Sequence, residues 1–374
     1  MIFDDLTTKY AGLNVQEIEA ALYCEVKLQL HQKYGNKPDC SIQRRVDEEW
    51  TAMEQSGVIL DVAALYEVTV WLRKNQSPYW MRGFSGSSFI LYLLEITTGN
   101  PLPPHLYCPK CKSVQWVPLY ADGFDIPQDY TCDKDGVILM ADGHNIPWQT
   151  LWGFDGFQAT FDVDLPSNLY EDFQKTLGLH WLSKIKSENS PSISHKSGVK
   201  HLKISNLSLM FILDANTISS TFYSRNLTAL NQDYIMRHWK LLIGCLPGND
   251  VGAYEPHDVA DVIAMFGLIH STGVWDEVTT LMIDQLGYSL SDMIAFQDDV
   301  YQYLIDHDVI EKDAWRAMRK VRAGQGLPFV VHGMMQARDK WVLARCEQIK
   351  YLFPKAHAVE YILFKLKSVD FDKK

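Results

Sequence analysis

Two short cysteine knuckles constrain this chain more than any other feature. Cys108-Pro-Lys-Cys111 is followed, after twenty intervening residues, by Cys132-Asp-Lys-Asp135. Paired x-two-x spacings that far apart converge when the segment between them folds back as a small zinc ribbon, with thiolates as ligands. The fourth place is an aspartate, which zinc accepts less often than Cys or His, and His105 and His144 lie near enough in sequence to complete the site instead. The same strings also read as a degenerate knuckle without metal. Cys24, Cys40, Cys245 and Cys346 are scattered and follow no framework. That usage suits reduced thiols in a reducing, cytoplasmic compartment rather than disulfides.

Length sets the next limit. A chain of 374 residues suits two or three domains, and 47% apolar with 22% charged residues excludes collagen, coiled coil and global disorder. The longest apolar runs, 89–94 and 209–213, are far too short to cross a bilayer. The opening MIFDDLTTKY has no basic start ahead of an apolar stretch, so neither a membrane nor a secretory signal is expected. A formal net charge of −11 speaks against nucleic acid for the chain as a whole. It hides an asymmetry: residues 311–374 hold 14 Lys and Arg against 7 Asp and Glu, a net of +7 beside −18 for the rest. A basic segment on an acidic body suits a polyanion, although basic helices also occur as plain solvated faces.

Periodicity orders the chain as helical, then mixed, then helical. Residues 15–34 carry Ile18, Leu22, Val26 and Leu30 at helical spacing, 42–53 repeat the pattern, and 62–73 are amphipathic again. RGFSGSS at 82–88 is a small polar loop feeding a buried apolar element, and NPLPPHLYCPKC at 100–111 is an extended entry to the cysteines. FDVDL at 161–165 alternates as a strand, and HLKISNLSLMFILDA reads as strand too. Residues 183–201, rich in Ser and Lys, read as a loop and a domain boundary. Helical pieces return at 257–268, 289–307, 311–322 and 335–351. The expected divisions are 1–75, helical; 76–250, α/β with the ribbon inserted at about 100–145; and 251–374, helical.

Three further features suit phosphate chemistry, each with a plain alternative. Asp162 and Asp164 lie on one face of a strand, about 7 Å apart, and such a pair can share divalent metals, although most pairs of this kind are solvated edges. The glycine- and serine-rich loop could cradle phosphate on backbone N–H groups. Arg316, Arg319, Lys320 and Arg322, then Lys350, Lys355 and His357, suit triphosphate oxygens or an ordinary basic surface.

Taken in order, RGFSGSSF, EITTGNPLPPHLYCPKC, GFDIP, CDKDG, DGHNIPWQTLWGF and FDVDL resemble the polymerase module of the PolC-type (C-family) replicative DNA polymerase III alpha subunit. The resemblance resumes with GLIHSTGVWDE, FQDDVYQYLIDH, MRKVRAGQGL and KIKYLFPKAHAVEY, which match that family's fingers. It covers about 12–170 and about 266–364. It implies an α+β fold: a nucleotidyltransferase-like palm remnant, a mixed β-sheet with helices, carrying the zinc ribbon between a helical N-terminal part and a helical fingers-like region. It also implies that Asp162 and Asp164 are two of three catalytic aspartates holding Mg²⁺, and that Arg82, Gly83, Ser85, Ser87, Ser88, Arg319, Lys320, Arg322, Lys350, Lys355 and His357 face nucleotide or phosphate.

The chain departs from the family's pattern in several places. The third aspartate's place falls on Phe211, and Asp214, three residues on, faces the other way on a regular strand. Phe84 stands where the family has a serine after Arg-Gly, and Asp135 where it has a cysteine. Only about 45 residues separate Asp164 from the Phe211 strand, where the family has well over twice that. Sequence matching the family's oligonucleotide-binding, exonuclease, PHP, clamp-binding and C-terminal duplex-binding parts is not found. One reading is therefore a catalytically degenerate, PolC-like protein of DNA replication, a pseudoenzyme that binds DNA primer–template, dNTP or a replisome protein through its basic C-terminal region. The alternatives are a minimal, active Mg²⁺-dependent DNA-directed DNA polymerase, with Asp214 or another acid as third ligand, and a decayed product with a stable zinc-bearing fold.

Overall fold

Helix Val15–Tyr34 starts where Asn14 and Glu17 form a reciprocal cap, and its buried residues, Ile18, Leu22, Val26, Leu30 and Tyr34, recur every fourth position. Asp39 caps the next helix, Cys40–Ser56, and Ile59–Lys74 follows almost wholly buried. The computed structural model describes residues 10, 12–171, 173, 192–196, 199–214, 232–244, 250–333 and 340–369.

Eight short strands follow: β1 (Trp80–Arg82), β2 (His105–Tyr107), β3 (Val114–Trp116), β4 (Met140–Asp142), β5 (Phe161–Pro166), β6 (Ser192–Lys196), β7 (Val199–Ile204) and β8 (Leu207–Leu213). They form two sheets, one ordered β1-β5-β8-β7-β6 and one ordered β3-β2-β4. In the larger sheet β5 and β8 run parallel and every other pair is antiparallel. Alternation sends Phe161, Val163 and Leu165 of β5, with Leu207, Leu209 and Phe211 of β8, into one core shared with the opening helices. The chain is thus a mixed α+β protein.

One sequence expectation is corrected here. Of the loop expected at 183–201, residues 183–191 lie outside the described residues, but 192–196 and 199–204 are a hairpin paired from Ser192↔Lys203 to Lys196↔Val199. A hairpin at a sheet edge is held by its backbone ladder and needs little apolar content, so composition hid it.

A second core is helical, drawn from Gln232–Ile243, Val259–His270, Gln297–Ile305, Glu311–Arg322, Lys340–Gln348 and Lys355–Ser368. The stretch expected as one helix at 289–307 is broken: a short 3-10 turn, Leu290–Asp292, precedes the helix that starts at Gln297. Helix Lys355–Ser368 ties this core to the sheet, because Trp80 of β1 packs edge-on against His357 and Tyr361 and stacks on Phe364. Among the described residues no single helix is long and apolar enough to cross a membrane.

Candidate functional site

With Val163 and Leu165 turned into the core, Asp162 and Asp164 share the other face of β5. Pairing defines their neighbours: Arg82 and Ser208 flank Asp162, while Trp80 and Met210 flank Asp164. Arg82 Nη1 lies 3.5 Å from Asp164 Oδ1 and 4.0 Å from Met210 Sδ. Phe211 pairs with Leu165, is 3% exposed, and packs its ring edge-on against Tyr170 and Phe173, on the side away from the aspartates. The sequence expectation that Phe211 fills a third aspartate's place is therefore corrected, since Met210 stands beside Asp164. Asp214 is exposed and follows Leu213, the partner of Pro166. Three steps along a strand carry it about 10 Å beyond the level of Asp164.

Burial pushes the Asp164 carboxyl up to about 6, with Arg82 pulling the other way and Asp162 adding to the rise. The folded chain therefore holds this proton more tightly than the unfolded one, so its contribution to stability is present at low pH and lost as pH rises through about 6. We expect Asp164→Asn to gain roughly 1–3 kcal/mol near pH 7.5 and clearly less near pH 5, read from thermal melts at both. A loss at the higher pH would mean that the Arg82 pair outweighs burial.

The loop after β1 holds its place through packing. Gly83 has φ +66, a left-handed conformation that strains any side chain, and its N–H donates to His357 Nδ1 at 3.0 Å. Ser85, Ser87 and Ser88 are fully buried. Ser88 Oγ accepts from Leu91 N–H at 3.1 Å and donates to Glu49 at 2.6 Å, and Ser87 Oγ accepts from Thr150 at 2.7 Å. Ser87 and Ser88 thus hold the loop, which corrects their expected role as phosphate-facing hydroxyls, while the buried Ser85 hydroxyl has no hydrogen-bond partner among the described residues. His357 is corrected too: burial, then Arg82 and His270, push it down to about 3, so it is a neutral acceptor rather than a cation.

Cations nonetheless gather at the end of helix Glu311–Arg322, and one of them reaches this loop. Arg322 lies 4.7 Å over the Phe84 ring and 5.9 Å over Tyr351, and its buried Nε has no hydrogen-bond partner among the described residues. Arg319 stacks on Phe157 and Trp315, while Lys320 and Lys350 are exposed. Lys355 gives its backbone N–H to the buried Asp298, whose carboxyl feels the charges of both Lys355 and Arg322. Sequence reading missed two carboxylates that set the site's backbone: Glu49, which anchors Ser88 to Ile90, and Glu360, which accepts from Thr98 and Gly99 N–H. Neither carries a local signal, because each caps a segment far away in sequence.

The knuckles converge as expected. The ligand atoms of Cys108, Cys111, Cys132 and Asp135 all lie within 4.8 Å of one another. Cys111 Sγ is 3.7 Å from Cys132 Sγ, and Asp135 Oδ2 is 3.3 Å from Cys108 Sγ and 3.7 Å from Cys132 Sγ. Thiolates on one tetrahedral ion stand about 3.7 Å apart, so this cluster could hold a metal. His105 and His144 are excluded as the fourth ligand. His105 contacts Pro103 O and Tyr34 hydroxyl, and His144 contacts Asp122 at 2.7 Å.

No family model matches the chain. Curated relatives do: it is 24% identical to the DNA polymerase III PolC-type of Clostridium perfringens (strain 13 / Type A) over 449 residues, covering 89% of this chain and 30% of the relative. The Thermotoga maritima protein of the same name is 27% identical, covering 88% and 32%, and that of Streptococcus suis 24%, covering 98% and 33%. The chain spans about a third of the length of the curated relatives it matches. An alignment of 449 positions exceeds the chain's own 374 residues, so the relative carries segments with no counterpart here.

Proposed function

We propose, for a chain that is a PolC-like relative of replicative DNA polymerase III along about nine-tenths of its length, a role in DNA replication that binds without polymerising. In this reading a nucleotidyltransferase-like palm remnant and its flanking cations contact DNA primer–template, dNTP or a replisome protein. The observation that carries it is the register of β8. Ser208 and Met210, not carboxylates, stand beside Asp162 and Asp164. Two Mg²⁺ ions about 4 Å apart need several charged oxygens between them, and a hydroxyl and a thioether supply none. The Arg82 guanidinium beside Asp164 further opposes a second cation. These residues do not fit a two-metal centre. The cationic edge formed by Arg319, Lys320, Arg322 and Lys350 supports contact with a polyanion.

For the cysteine cluster we propose structural zinc. Three sulfurs and one carboxylate at tetrahedral spacing suit Zn²⁺, whereas Mg²⁺ prefers an octahedron of oxygens. Four protein ligands close the coordination sphere and leave no position for substrate.

Primer extension on a primed single strand, with Mg²⁺ and all four nucleotides, tests the main reading. The chain is expected to give no more product than its Asp162→Ala/Asp164→Ala variant. Product that vanishes in the double variant would overturn the proposal and establish a compact polymerase with another acid, such as Asp214, as third ligand. Salt-dependent binding of the primed template, measured by fluorescence anisotropy, tests the DNA-binding arm separately.

A further inference from the structure

Two adjoining clefts flank helix Cys40–Ser56 and contain none of the aspartate, cation or metal-ligand residues described above. One has a volume of about 580 Å³ and the other about 770 Å³, and they share Arg44, Glu48 and Trp148. Either volume is ordinary for a small-molecule site. The smaller cleft is walled by Pro103, Pro104, Pro118 and Pro147, stiff residues that pre-form it, and it presents two indoles, Trp116 and Trp148.

Its polar groups are sparse and one is unsatisfied. Tyr301 lines this cleft at 3% exposure, and its buried hydroxyl has no hydrogen-bond partner among the described residues. Burial, then the carboxylate of Glu311, raises its pKa, so the phenol keeps its proton and stands as a donor. A buried donor left unpaired is costly, and a ligand acceptor would relieve it. Charge argues for a neutral ligand. Arg44 faces Glu48 and Glu311 in this cleft, and Arg45 is already bound to Glu49 and to the carbonyls of Ser87 and Ile146, so no cation is left over for an anionic ligand.

We propose that this cleft binds an uncharged planar heterocycle of nucleobase or nucleoside size, stacked on Trp148 and hydrogen-bonded by the Tyr301 hydroxyl. The test is saturation-transfer NMR and equilibrium dialysis of the full chain with adenosine, guanosine, cytidine and thymidine, each titrated to about 1 mM. At least one nucleoside is expected to bind saturably. Trp148→Ala should weaken that binding roughly 5- to 100-fold, from the lost stacking. Tyr301→Phe, which deletes a single oxygen and preserves packing, should weaken it roughly 3- to 10-fold. Melting curves matching the parent's keep both variants interpretable. Three outcomes overturn the proposal: no saturable binding of any of the four, binding unchanged in Tyr301→Phe, or binding lost in Arg82→Ala but kept in Trp148→Ala, which would move the ligand to the sheet.

Discussion

Removing the zinc proposed at the cysteine knuckles, by chelation or by Cys132→Ser, is expected to unfold the ribbon-like segment spanning 105–142 while the two larger cores stay folded. The ribbon's own core is small: Leu106, Ile126 and Leu139 are its large buried side chains, with Cys108, Cys132 and Ala141. Its sheet is three strands of three residues each. Beyond Val114, Trp116 and Phe124, which lean on the larger cores, so little burial falls short of the ordering entropy of the segment, and the proposed zinc would make up the difference. Structural zinc sites bind with apparent energies on the order of 10 kcal/mol or more, so deleting one of four ligands should weaken retention by roughly 100-fold. Metal content of the purified chain, followed by hydrogen exchange with and without chelator, reads both effects. Amides of 105–142 equally protected in the two states would show that the ribbon stands without metal.

Much of this site is legible in the sequence, for reasons that differ residue by residue. The knuckle spacing is short-range, so Cys108, Cys111, Cys132 and Asp135 converge as their spacing requires. The shared face of Asp162 and Asp164 follows from the period of a strand, which needs no partner to be read. Phe211 is different. Its face depends on how β8 registers against β5, and that parallel pairing joins strands about 40 residues apart through a crossover that periodicity cannot phase. A one-residue slip flips every side chain, which is the distance between Met210 and Phe211. The serines failed for another reason. Small polar residues suit a phosphate loop and a helix cap equally, and what decides for Ser88 is Glu49, some 40 residues upstream, and for Ser87 Thr150, some 60 downstream. His357 likewise reads as a cation in sequence and is neutral only because of what surrounds it.

Glu49→Ala is expected to destabilise the chain by roughly 3–5 kcal/mol, a large share of the 5–15 kcal/mol typical of a folded domain. The residue is fully buried, and its carboxylate accepts from Ser88 Oγ at 2.6 Å, Phe89 N–H at 2.9 Å, Ile90 N–H at 3.3 Å and Trp152 Nε1 at 3.2 Å, besides pairing with Arg45. Alanine leaves the Arg45 charge without its carboxylate and several donors unsatisfied at once, and each such group carries its own desolvation penalty. Glu49→Gln keeps the shape but halves the acceptor capacity and drops the charge, so it should fall between alanine and the parent. Urea unfolding at constant m-value separates the three. The consequence reaches the functional face, because Ser88 sits six residues after Arg82 on the same loop. Once the cap loosens, the segment from Gly83 onward is no longer held against His357, and Arg82 loses its fixed position beside Asp164. In Glu49→Gln, folded but slackened, the gain conferred by Asp164→Asn should therefore grow, since less of the Arg82 attraction remains to be lost. Strictly additive effects of the two substitutions would show that the cap and the aspartate face are not coupled.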